Sequence, residues 1–80
     1  MTREILHRLV EEIADVNEVN FGCHATCFIT QVIGGGIMVD VSTHYDVDGK
    51  RGESVTFAED DKELLKAIAI IRSMKEEANR

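Results

Sequence analysis

The sequence predicts an α+β domain, a two-layer sandwich built in the order α-β-β-β-α with both helices on one face of a three-stranded antiparallel meander. Apolar residues recur at helical spacing near both ends of the chain and at strand spacing between them. The middle is broken at Gly34-Gly35-Gly36 and at Asp48-Gly49, punctuation that joins neighbouring strands. The chain has 80 residues, enough for one domain with one modest core.

The first helix is expected from Arg3 to Asn17. Thr2 stands at its N-cap. Ile5, Leu6, Leu9, Val10, Ile13 and Val16 form its apolar stripe. Asn17, Asn20 and Gly22 are expected to close it and turn the chain.

The first strand is expected from Cys23 to Ile33. In the second, Ile37, Val39, Val41, Thr43 and Tyr45 alternate with Met38, Asp40, Ser42, His44 and Asp46, so the odd residues face the core. The third runs from about Gly52 to Phe57 with Val55 and Phe57 inward. Residues directly opposite in a sheet share a face. A two-residue Asp48-Gly49 turn sets inward Val41 against Thr56. A three-residue loop, Val47-Asp48-Gly49 with a bulge at Gly49, instead pairs Val41 with Val55 and Val39 with Phe57. The three-residue loop is therefore the expectation. The same arithmetic across the glycines pairs Ile33 with Ile37, Ile29 with Val41 and His24 with Asp46.

The last helix opens on Asp60 as N-cap, with Glu63 three residues on in a capping-box pattern. Leu64, Ala67, Ile68, Ile71, Met74 and Ala78 line its core face, flanked by Leu65 and Ile70. The even face of the sheet, with Phe28, Val32 and Met38 near the glycines, is left open for solvent or a partner.

The composition narrows the function. Acidic side chains number 15 against 9 basic ones, a net charge of −6. A protein that grips nucleic acid through phosphates carries the opposite balance, so no direct nucleic-acid contact is expected. No apolar run reaches the roughly 18 residues of a membrane span, and the first ten residues hold no signal-peptide core. The expected compartment is the cytoplasm, and the expected partner is a protein with a basic surface.

Several motifs look chemical at first sight. Cys23 and Cys27 flank His24, but four residues along a strand span about 13 Å. That distance is too long for one zinc with bonds of about 2.3 Å to each sulfur, and too long for a disulfide. Two small thiols on the core face are the expectation. His24, His44 and Asp46 share the outer face and form a conceivable ligand set, but three polar residues on a solvated sheet face are the expectation. Gly34-Gly35-Gly36 lacks the Lys-Ser/Thr and the helix of a phosphate loop. No nucleophile stands in a catalytic context. No catalytic residue, no metal site and no cofactor is expected.

The α-β-β-β-α order resembles the double-stranded-RNA-binding domain in topology. That family starts its second helix with lysines. Here the segment is Glu59-Asp60-Asp61-Lys62-Glu63, which repels phosphates. In short length, negative charge, compact layout and lack of a catalytic motif, the chain also resembles the small acidic anti-CRISPR proteins of bacteriophages. That resemblance is one of general character, and it implies an inhibitor docked on a CRISPR effector, where acidic side chains occupy a surface otherwise used by nucleic acid. The candidate contacts are Glu11, Glu12, Asp15 and Glu18 on the first helix, and Asp40, Asp46 and Asp48 on the sheet and its turn. The alternative is a homodimeric structural or accessory domain that pairs through its open sheet face or an edge strand.

Overall fold

A computed structural model describes residues 2–19 and 22–78. The elements are α1 (Arg3–Val19), β1 (Cys23–Gln31), β2 (Ile37–Val47), β3 (Lys50–Ala58) and α2 (Asp61–Ala78). They form an α+β fold with an antiparallel sheet in the order β1-β2-β3. Both helices pack on one face of the sheet and against each other. The core holds Leu9 and Val16 of α1, Leu64, Ala67, Ile68, Ile71 and Met74 of α2, and Cys23, Ala25, Val39, Val41 and Ala58 of the sheet. The stripes read from helical periodicity thus find the core, except Val10, which is 48% exposed at the edge of its stripe. The places expected for Asn20 and for the Ala78 side chain lie outside the described residues.

The helices run side by side in the same direction. Thr2 at the start of α1 meets Asp61 at the start of α2, while further on Arg72 Nε donates to Glu12 Oε1 at 2.9 Å and Lys75 Nζ reaches Asp15 Oδ2 at 3.4 Å. Thr2 occupies the cap position through its carbonyl, which accepts from Leu6 N–H at 3.1 Å. Its side chain does not cap α1; the hydroxyl donates to Asp61 Oδ2 instead, and its backbone N–H donates to Asp61 Oδ1. The hydroxyl first, and then the N–H, hold the Asp61 carboxyl below its ordinary range. At α2, Asp60 Oδ1 accepts from Glu63 N–H at 2.9 Å as expected, and Glu63 reaches back one residue further, to Glu59 N–H at 3.3 Å.

Both hairpins pair in a register other than the one expected. In the first, Gln31 opposes Ile37, Cys27 opposes Val41 and His24 opposes His44. The loop is longer than its three glycines, because Val32 N–H donates to Gly36 O and Gly35 N–H to Val32 O, each at 3.1 Å. This is a slip of two residues, so every side chain keeps its face.

The second correction is larger. Asp48 and Gly49 form a two-residue turn, with Val47 opposite Lys50, Val41 opposite Thr56 and Val39 opposite Ala58. Both central residues sit at positive φ, 52° for Asp48 and 81° for Gly49. This is the turn whose twist matches a hairpin, and Asp-Gly is a sequence that tolerates it. The one-residue difference reverses β3. Ala58 enters the core, and the Ser54 hydroxyl hydrogen-bonds Thr43, the one polar side chain buried in the sheet among the described residues. Val55 and Phe57 turn outward, 58% and 56% exposed.

Candidate functional site

With β3 reversed, the open face of the sheet changes character. Its cross-strand rows are Asp46–Arg51, His24–His44–Glu53, Thr26–Ser42–Val55, Phe28–Asp40–Phe57 and Thr30–Met38. One end is polar. Arg51 Nε lies 3.6 Å from Asp46 Oδ2, and His44 Nδ1 lies 3.2 Å from Glu53 Oε1. The other end is aromatic, with Phe28 67% exposed and Phe57 nearly as open.

Asp40 sits between those two rings in the sequence of the row. It is half-buried, and its Oδ1 is shut off from solvent with no hydrogen-bond partner among the described residues. A buried polar atom left unpaired costs about 1–3 kcal/mol. The neighbours on its row, Phe28 and Phe57, offer no donor. Strand spacing puts the two phenylalanine backbones about 10 Å apart, one on each side of Asp40.

The other predicted contacts divide into two sets. Glu12, Asp15 and Asp46 are engaged within the chain, by Arg72, Lys75 and Arg51 respectively. The Glu12 side chain is only 13% exposed and lies in the seam between the helices. Glu11, Glu18 and Asp48 are exposed. The seven do not converge on one surface: four lie along α1, two on the open face and Asp48 at the tip of the β2–β3 turn.

His24 and His44 are direct neighbours, ring centroids 5.2 Å apart, but Asp46 opposes Arg51 and not His24. Among the described residues no three His, Cys, Asp or Glu side chains gather as a metal ion requires. Cys23 and Cys27 are free thiols on the helix side, and burial pushes both thiols up from their ordinary value. No helix among the described residues is long and apolar enough to cross a membrane.

The two edges of the sheet also differ. Asp46 N–H donates to Gly22 O and Val32 N–H to Gly36 O, so even-numbered residues carry the β1–β2 bonds. The odd residues of β1 therefore point their N–H and C=O outward. At Ala25 that edge is closed by Asn17 of α1, whose Oδ1 accepts from Ala25 N–H at 2.8 Å and whose Nδ2 donates to Ala25 O at 2.9 Å. By the same alternation the odd residues of β2 bond the even residues of β3. Arg51, Glu53, Val55 and Phe57 are left with outward backbone groups that have no partner among the described residues. Above this edge, on the helix side, lies a cleft of about 490 Å³ between α2 and β3. Its floor is small because Gly52 and Ser54 lie on the helix side of β3.

No family model matches this chain, and neither a curated protein nor a solved structure shows significant similarity to it.

Sequence reasoning reached Asp40 as one acid among seven, and Phe28 as part of an exposed patch. It missed Phe57 and Val55, because it assigned apolar residues of a strand to the core. The Asp48-Gly49 dipeptide was the signal that could have placed them.

Proposed function

We propose that this domain works by binding a protein partner with a basic surface, without catalysis of its own, and that the partner docks on the open sheet face at Phe28, Asp40 and Phe57. The observation that supports this most is the unpartnered Asp40 oxygen between two exposed aromatic residues. Its chemical complement is an arginine or lysine side chain, stacked on the rings and paired with the carboxylate. A net charge of −6 favours approach of such a partner. An inhibitor of a CRISPR effector is one form of this reading, since such an effector offers Lys- and Arg-lined surfaces. In this form Asp40 is the critical acid among the seven candidates.

The test is capture of partners from bacterial lysate by the tagged protein, with elution in steps of rising salt. Asp40→Asn and Phe57→Ser should lose the salt-released partner while circular dichroism stays unchanged. The Glu11→Lys, Glu18→Lys double variant should keep it. Retention by Asp40→Asn together with loss by the helix variant would move the site to α1 and overturn the proposal.

A further inference from the structure

The β3 edge invites a separate conclusion that does not rest on the binding reading. Unpaired strand edges template further pairing, and proteins normally blunt them. Here β1 is blunted at one place, Ala25, by Asn17, while its last outward residues, Cys27, Ile29 and Gln31, have no partner among the described residues. The β3 edge offers the outward N–H and C=O groups of Arg51, Glu53, Val55 and Phe57 in an unbroken row. Both flanks of that row are exposed and apolar. Val55 and Phe57 project on the open side, and the cleft against Ala69, Ile70 and Met74 of α2 opens on the helix side. A strand added at this edge covers apolar surface on both.

Charge selects the occupant. The chain is acidic as a whole, yet the stretch from Lys50 to Glu59 is locally balanced, with Lys50 and Arg51 at its start, Glu53 close behind them and Glu59 at its end. We propose that β3 pairs with β3 of a second copy, antiparallel about a two-fold axis at Val55. That register opposes Val55 to its own counterpart and Phe57 to Glu53 of the second copy, and brings Arg51 level with Glu59, one residue past the end of β3. No like charges are directly opposite, and the basic start of each strand lies alongside the acidic residues that follow the other. Such a contact is isologous and closes as a dimer, giving one six-stranded sheet. The open faces of the two copies become continuous, so the dimer presents two Phe28–Asp40–Phe57 rows on one side.

The backbone pattern supplies a sharp test. Val55 N–H points away from β2 and has no partner among the described residues, so Val55→Pro removes a donor from the edge and none from the β2–β3 ladder. Mass is measured by multi-angle light scattering and sedimentation equilibrium from micromolar to millimolar protein. The wild type should reach twice 8.9 kDa. Val55→Pro should stay at 8.9 kDa with an unchanged circular dichroism spectrum. Ile29→Pro, the matching change on the β1 edge, should keep the dimer. If Val55→Pro fails to fold, Val55→Lys serves in its place: it keeps the backbone donor but brings two ammonium groups together at the axis, and should weaken the dimer at least tenfold. A wild type at 8.9 kDa throughout this range leaves the edge to a foreign strand and overturns the proposal. So does a dimer that survives the Val55 change but is lost with Ile29→Pro.

Discussion

The β1 and β3 sides of the sheet are built to opposite plans. On the β1 side the chain is tied down. The α1 helix lies over the strand, Asn17 closes the edge at Ala25, and Gly22 fits so tightly that an added Cβ would stand 2.0 Å from Asp46 O. On the β3 side the inward residues are small or polar, a cleft remains under α2, the edge is bare, and the largest apolar side chains point away from the core. The contrast teaches that the largest side chains of β3 contribute little to the core. Its valine and phenylalanine are placed where only another molecule can bury them.

Glycine substitutions probe this contrast with the largest expected effect. Gly22 holds φ at 77° against the β2 backbone, so Gly22→Ala should cost about 2–4 kcal/mol in urea denaturation. Gly52, on β3, has nothing within 4 Å of an added Cβ. Gly52→Ala should therefore change stability by less than about 0.5 kcal/mol. Equal losses at the two positions would break the comparison.

Asn17→Ala removes both bonds to the Ala25 backbone. A loss of about 1–2 kcal/mol is expected. The Ala25 amide should then exchange with solvent as fast as edge amides that have no partner, read by hydrogen–deuterium exchange. Persistent protection at Ala25 would mean that something other than Asn17 guards the β1 edge.

Asp40 lies on the central strand between the two plans. Asp40→Val replaces an unpartnered buried oxygen with a residue that suits a strand. It should raise the stability of the isolated protein by about 1 kcal/mol while abolishing partner capture. Lower stability would show that the carboxylate serves the fold.

The smallest effect lies at the helix starts. Asp61 is held below its ordinary pKa by Thr2. A carboxylate depressed in the folded state adds stability that is fully present above its unfolded value of about 3.9, and that is lost as pH falls through the folded value. Thr2→Val should therefore lower the Tm slightly at neutral pH. The difference from wild type should shrink as the pH falls below about 4. A difference that persists unchanged in acid would assign the effect to packing.

How much of this was legible followed from period and register. The helices, their core faces and the Asp60–Glu63 cap were readable because helical spacing and capping chemistry are local. The β1–β2 slip was invisible to pattern, since two residues return every side chain to the same face. At β3 two local signals conflicted. The apolar pattern favoured Val55 and Phe57 inward, and the Asp-Gly turn favoured Ser54, Thr56 and Ala58. Turn geometry prevailed, because positive φ at both Asp48 and Gly49 fixes the hairpin twist, while Ala58 and the Thr43–Ser54 hydroxyl pair complete the helix side. The candidate site was hidden by the same conflict: with Phe57 assigned to the core, Asp40 looked like an ordinary surface acid.

The most direct measurement is urea denaturation of Phe57→Thr, made at micromolar concentration. If Phe57 faces outward on a side built for a partner, the change should cost less than about 1 kcal/mol, as surface substitutions do. A loss of about 3–5 kcal/mol, the scale of truncating a core phenylalanine, would place Phe57 inside and contradict both the β3 register and the binding surface that depends on it.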